Sequence, residues 1–259
     1  MLRRWLPRRL EHGEEATLVE HLDEFRSRLI ICIIAIVPAF LIAFAFHSQL
    51  IRWLTRAIPG DVQLVTLGVA EPFTTSMKVS FYAALALVLP VVLYEFWAFL
   101  APAVEKDVQR VIAVFVVLAT ALFFGGVIFG YFVVLTPAVH FLTGFDSNLY
   151  DTQVRASYYL SFATLLLFAL GIVFELPIFI LALVRLRILS ADKLRRNRRI
   201  GWVLTLAFAI LLPTIDPVSL MLEWIPLLIL FEFSIWLSVL MERRWRRGWE
   251  DEPLGAEFS

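Results

Sequence analysis

The chain of 259 residues carries one cysteine, Cys32, which excludes an intrachain disulfide and leaves the redox compartment open. Set within an apolar stretch, Cys32 reads as a packing residue. The four histidines are scattered without H-E-x-x-H spacing, and the glycine-rich run Gly125–Gly130 lacks the lysine and the serine or threonine of a phosphate loop. No nucleophile and base stand in an arrangement that chemistry would need. These absences argue against an enzyme and against a nucleotide, metal or other cofactor. Charge is sparse as well, with 18% Asp, Glu, Lys and Arg and a formal net charge of zero, a smaller share than an ordinary soluble domain carries. The opening segment is also not expected to be an export leader. The opening M-L-R-R-W-L-P-R-R-L is basic, but acidic E-H-G-E-E follows where a leader needs an apolar stretch, so residues 1–16 read as a cytoplasmic tail.

What the chain has instead is apolarity, with 60% hydrophobic residues and a mean hydropathy of +0.81. Six apolar stretches approach or exceed the roughly 20 residues that cross a hydrocarbon core of about 30 Å. They predict spans at 29–46, 80–100, 111–135, 158–184, 200–212 and 220–240, within a membrane domain of 17–240 followed by a tail at 241–259. The fifth is too short to cross unaided, which implies a thinned bilayer or burial among neighbours. Continuous apolarity makes these spans helices, because a membrane β-strand alternates polar and apolar residues. The expected class is an all-α polytopic membrane protein.

The zero net charge conceals a segregation. Of 23 Lys and Arg, six precede the first span, two follow the second, seven lie between Arg185 and Arg199, and four fall in the C-terminal tail. Only Arg52, Arg56, Lys78 and Arg155 lie on the other side. By the positive-inside rule both termini are predicted to be cytoplasmic. The basic Arg185–Arg199 loop is explained by this topology and by anionic lipid, without nucleic acid.

Thr17 opens T-L-V-E, a capping box, and Leu18, Leu22, Phe25 and Leu29 then share one helical face. An amphipathic helix is predicted to run directly into the first span, with Glu20, Glu24 and Arg28 at i, i+4 spacing on its polar side. More than thirty residues separate the first two spans, enough to fold as a cap, with an apolar piece at Leu50–Ile58 and E-P-F-T-T-S-M-K leading onward. A second outer segment, Thr136–Ser157, is polar, and the third is only a turn, so the fifth and sixth spans should form a tight hairpin. Pro38, Pro90, Pro177 and Pro226 fall within spans and permit kinks. Gly126-x-x-x-Gly130 reads as a close helix contact.

Acids inside the membrane are the informative residues. Glu95, Glu175 and Glu232 each cost roughly 2.5–3.5 kcal/mol on insertion scales for a central charge, so each should face protein or water. Structural pairing within the bundle and a functional role are both open to them.

Several segments, taken together and in order, resemble one family. His21–Leu29 (H-L-D-E-F-R-S-R-L) is similar to the amino-terminal signature of TatC, the signal-peptide receptor of the twin-arginine protein translocase. Glu71–Phe73, Tyr94–Ala103, Gly171–Pro177 and Pro213–Pro217 resemble its second span and first inner loop, its fourth span and its last outer turn. The resemblance covers about Thr17 to Leu240. It implies a glove-shaped, concave receptor with short fifth and sixth helices, in a prokaryotic plasma membrane, without catalytic activity. It implies too that the proton-motive force drives export of folded substrates whose signal peptides carry S-R-R-x-F-L-K-like regions. The implied partners are these peptides, the small single-span subunits TatA and, where present, TatB, further copies in a homo-oligomeric receptor complex, and membrane lipids.

By the same resemblance the peptide site comprises Leu22, Glu24, Arg26 and Phe99, together with Glu105 or Asp107. An arginine pair calls for partly desolvated carboxylates, which guanidinium engages in bidentate fashion and lysine does not. Glu24 leads, against the plainer reading of a surface Glu24–Arg28 pair. Glu105 and Asp107 enter because the family carries a glutamate where Val108 stands. A helical loop would put Glu105 on the face of Val108 and turn Asp107 about 100° away. The resemblance implies partner docking in the membrane for Glu95, Glu175, Asp216 and Glu232, while Leu220 replaces a family glutamine near Asp216. A proton- or ion-coupled solute transporter with Glu175 as relay is the rival reading, disfavoured by the lack of internal repeats. The other rival, a membrane-embedded enzyme, lacks a reactive constellation.

Overall fold

The computed structural model describes residues 18–60, 62–100, 108–147, 149, 152–185, 188–213 and 216–250, with side chains placed at 22–99 and 113–242 within those ranges. Thr17 with its capping box, Glu105 and Asp107 lie outside the described residues. The described chain is almost wholly helical, as lipid demands of a backbone that must satisfy its own hydrogen bonds. It divides into two compact units, Met1–Gly171 and Ile172–Ser259.

In the first unit α1 (Leu18–Ala45) is a single helix, so the amphipathic segment and the first span are continuous as expected. A short helix α2 (His47–Thr55), whose Leu54 is buried, follows it. The strand β1 (Leu64–Val65) then precedes α3 (Glu71–Leu100). The 30 residues of α3 extend about 45 Å at 1.5 Å per residue, and the helix starts nine residues before the predicted span. Antiparallel packing of α1 on α3 is built from small residues. Ala39 and Ala43 meet Ala84 and Val88 in a buried seam, where the lack of long side chains lets the two backbones approach.

Beyond α3 the chain forms α4 (Val108–Phe129), a π-helical stretch at Gly130–Leu135, and α5 (Thr136–Gly144). The predicted polar segment from Thr136 is therefore helical for its first nine residues. Its opening T-P-A-V-H-F-L continues the apolar pattern of the span, with Pro137 near the start of α5, where its missing N–H costs least. A Cβ on Gly130 would stand 2.8 Å from Leu170 Cδ1, so this glycine does mark a close helix contact. Gly171 is equally constrained, since a Cβ there would lie 2.5–2.9 Å from the Phe123 ring.

Strand β2 (Val154–Arg155) pairs in parallel with β1, Leu64 opposite Val154, and leads into α6 (Ala156–Val173). Helix α2 is pinned from two directions. Tyr131 donates its hydroxyl to the Trp53 carbonyl at 2.9 Å and Tyr159 to the Leu54 carbonyl at 2.6 Å, while the Trp53 and Tyr131 rings stack 4.2 Å apart. The long first connection is thus folded.

The second unit holds α7 (Leu176–Arg185), α8 (Ala191–Arg196), α9 (Arg198–Leu211) and α10 (Pro217–Glu250). Helices run unbroken through Pro38, Pro90 and Pro226, but the predicted fourth span is interrupted by a turn at Phe174–Glu175, just before Pro177. Residues ahead of a proline are biased away from the helical region, and proline fits the first turn of the next helix. Helix α9 has 14 residues, about 21 Å, and is short as expected. Helix α10 is not. Its 34 residues, about 51 Å, correct the expectation of a short sixth helix, and the helix continues past 241, where the tail is expected to begin. Met241–Glu250 is rich in Glu and Arg, good helix formers, and no proline stops it before Pro253. Helices α9 and α10 form the expected hairpin, and a Cβ on Gly201 would overlap the Phe231 ring.

Candidate functional site

Among the described residues, five helices are long and apolar enough to cross a membrane: Leu22–Ala45, Glu71–Phe99, Ala113–Gly144, Ala156–Arg185 and Pro217–Glu242. One ion-paired cluster joins the first two. Helical periodicity sets Arg28 one turn beyond Glu24, and the packing of α1 on α3 brings Glu95 to the same place. The Glu24 Oε1 atom accepts from Arg28 Nη2 at 2.6 Å and from Nε at 3.0 Å, while Glu95 Oε2 accepts from Arg28 Nη1 at 2.8 Å. One guanidinium therefore bridges two carboxylates from different helices. All three side chains are largely buried, with exposures of 9% for Glu24, 13% for Glu95 and 18% for Arg28. The Glu24 Oε2 atom is buried and accepts no hydrogen bond from the described residues.

Phe99 lies beside this cluster, its ring 5.6 Å from that of Phe25 and tilted by 59°. Leu22 and Arg26 are exposed on the surface of α1. Of the residues expected from the sequence, Glu24 and Phe99 thus come together near the ends of α1 and α3. Glu95, grouped at first with the other membrane acids, stands with Glu24 instead. The expected i, i+4 pair of Glu24 with Arg28 is present, but it is mostly buried and it is one half of a bridge. Sequence reasoning missed the bridging role of Arg28, and only its i, i+4 spacing carried a signal.

The remaining acids are placed separately. Glu175 sits at the turn between α6 and α7, its N–H donating to the Ile172 carbonyl at 3.0 Å and its Oε1 buried without a hydrogen-bond partner. Asp216 caps α10, accepting from the Ser219 N–H at 2.8 Å. Glu232 accepts from Trp202 Nε1 at 2.9 Å and lies 3.5 Å from Arg198 Nη2, joining α9 to α10 at a half-exposed place.

A second buried carboxylate has no role assigned from the sequence, where E-P-F reads as a lead into a span and as part of the family resemblance. Glu71 Oε1 accepts from Arg155 Nε at 3.0 Å and from the Ser157 N–H at 3.3 Å, and Oε2 accepts from the N–H groups of Leu67 and Gly68 at 2.9 and 3.2 Å. The hydrogen bond to Glu71 raises the pKa of Arg155 above its ordinary value. The same guanidinium lies 4.9 Å over the Tyr158 ring.

Long apolar helices with carboxylates paired between them define a polytopic membrane protein. The sequence model described as TatC, Sec-independent protein translocase protein, matches residues 20–226. TatCd of Bacillus subtilis (strain 168) is 34% identical over 231 residues, covering 89% of this chain and 95% of that protein. TatC of Escherichia coli (strain K12) is 36% identical over 227 residues, covering 85% and 87%. The crystal structure of the twin-arginine translocase receptor TatC in DDM superposes with a TM-score of 0.77 at 34% identity, covering 84% of this chain and 99% of that one. The chain belongs to the TatC family of Sec-independent protein translocase proteins. It is a component of a protein translocase, in a family of non-enzymatic membrane receptors, and the solute-transporter reading falls away.

Proposed function

We propose that the end of the molecule bearing Glu24, Glu95 and Phe99 lies in the cytoplasm and receives the arginine pair of twin-arginine signal peptides on folded substrates. The observation that carries this reading is the Arg28 bridge, a guanidinium held between two largely buried carboxylates at 2.6 and 2.8 Å, which is the chemistry a substrate arginine would use. Leu22 and Arg26 flank the peptide, and one of Glu105 and Asp107 adds a further acid from the adjoining loop. The nineteen-to-four placement of Lys and Arg supports cytoplasmic termini, with α9 as a sixth, short span in a prokaryotic plasma membrane. Glu175, with a buried unpartnered oxygen, and the α9–α10 surface around Glu232 and Asp216 serve TatA, TatB and further copies of this chain.

Fluorescence binding of an S-R-R-x-F-L-K peptide to the purified protein, with a twin-lysine peptide as control, tests the site. Glu105→Gln should weaken binding about ten-fold or more and Asp107→Asn much less, given roughly 1.5–3 kcal/mol for a hydrogen bond to an ionised partner. Normal binding by Glu24→Gln and by both loop variants would end the acidic-site reading. Orientation is read by impermeant thiol labelling of Ser190→Cys and Asn148→Cys in a Cys32-free background, and labelling of Asn148→Cys only from the inside would reverse it. Glu175→Ala should retain peptide binding and lose export of a folded reporter, whereas wild-type export would remove Glu175 from the mechanism.

A further inference from the structure

The acidic site is occupied by the protein itself. Arg28 places three of its nitrogens on the two carboxylates, Nε and Nη2 on Glu24 and Nη1 on Glu95, and covers both. With Glu24 only 9% exposed and its Oε2 out of solvent, Arg28 occupies the acceptors that an incoming guanidinium would use. Yet Oε2 is an acceptor left unused in a buried carboxylate, so this arrangement holds its arginine with less than the site's full capacity.

We propose that Arg28 is a resident competitor, a specificity-determining residue that a substrate arginine must displace from Glu24 and Glu95; this rests on the reading of the acidic pair as the peptide site. Displacement of one guanidinium by another exchanges like for like. Each fork-shaped cation brings several planar N–H donors, and the incoming one also gains Oε2. A lysine ammonium is a compact, strongly hydrated point charge without the fork, so it cannot replace the hydrogen bonds that Arg28 gives up. Discrimination thus comes from what must be evicted, in addition to what is gained, in the manner of negative selection against a wrong partner. The displaced Arg28, one turn along α1 from Glu24, swings toward its own exposed flank, and its three hydrogen bonds pass to water.

The test measures Kd for the twin-arginine and twin-lysine peptides with the full-length parent, Arg28→Gln, Arg28→Lys and Glu24→Gln, each checked for a single folded species by size and thermal unfolding. Removing the competitor leaves two carboxylates open, so Arg28→Gln should bind the twin-arginine peptide about ten-fold more tightly, the twin-lysine peptide more tightly still, and the preference between them should shrink at least five-fold. Arg28→Lys, a weaker competitor of unchanged charge, should move both quantities the same way by less. If Arg28 only braces α1 against α3, its variants lose thermal stability and bind no more tightly, with the preference unchanged, and the proposal is overturned. Should Arg28→Gln fail to fold, Arg28→Lys decides by the same criterion. Loss of binding in Glu24→Gln together with an unchanged preference in the Arg28 variants removes the competitor and keeps the site. Parent-like binding in Glu24→Gln and in the Arg28 variants removes both.

Discussion

Helix α3 carries a buried carboxylate near each end, Glu71 at its first residue and Glu95 about 36 Å along it, and the two are used in opposite ways. Glu71 is saturated. Its two oxygens take four donors, of which three are the backbone N–H groups of Ser157, Leu67 and Gly68 and the fourth is the side chain of Arg155 on the paired strand β2. At the other end a single side chain, Arg28, serves both Glu95 and Glu24, and one oxygen of Glu24 is left over among the described residues. A carboxylate whose acceptors are filled chiefly from the backbone is a fastener. One that is filled by a replaceable side chain, and incompletely, is suited to trade partners.

The contrast is broken most severely by Glu24→Gln. Losing the ionised acceptor should lower twin-arginine peptide affinity about ten-fold to a hundred-fold, at 1.5–3 kcal/mol for a charge-assisted bond, with little change in thermal unfolding. Glu71→Gln should do the reverse. Its peptide Kd stays within about two-fold of the parent, while the unfolding midpoint in detergent falls by on the order of 5 °C, because Arg155 and the paired strands lose their common anchor. Equal loss of peptide affinity in both variants would erase the distinction. Glu95 accepts one of the three Arg28 bonds where Glu24 accepts two, so Glu95→Gln should lower affinity by less, about three-fold. Glu232→Gln is the mildest. Its half-exposed contacts to Trp202 and Arg198 predict a stability change within about 0.5 kcal/mol, and a larger loss would place it with the fasteners.

What the sequence disclosed depended on how far apart the interacting groups lie. Glu24 and Arg28 are four residues apart, and the periodicity of one helix suffices to pair them. Glu95 is 67 residues from Arg28, and no pattern announces that contact before α1 is packed on α3. The same holds for Glu71, whose partner Arg155 is 84 residues away. Apolar runs announced the long helices because lipid leaves them no other conformation. They misplaced the ends of α3, α5 and α10, since hydropathy marks where the membrane stops and a helix is free to continue past it. The proline at 177 announced a bend but not a full turn at Phe174–Glu175, while three other prolines sit in unbroken helices. Propensity alone did not separate these cases.

The two tyrosine hydroxyls that hold α2 have a consequence for the order of assembly during synthesis. Trp53 waits 78 residues for Tyr131 and Leu54 waits 105 for Tyr159, and the anchor of Glu71 comes 84 residues after it. At about 5–20 residues per second, the last of these partners leaves the ribosome roughly 5–20 s after its target. Once α3 is made, α1 and α3 can pack on each other, but α2 and β1 still lack the tyrosine and Arg155 contacts that arrive later. The first outer connection therefore takes its final form only after more than half of the chain has been made.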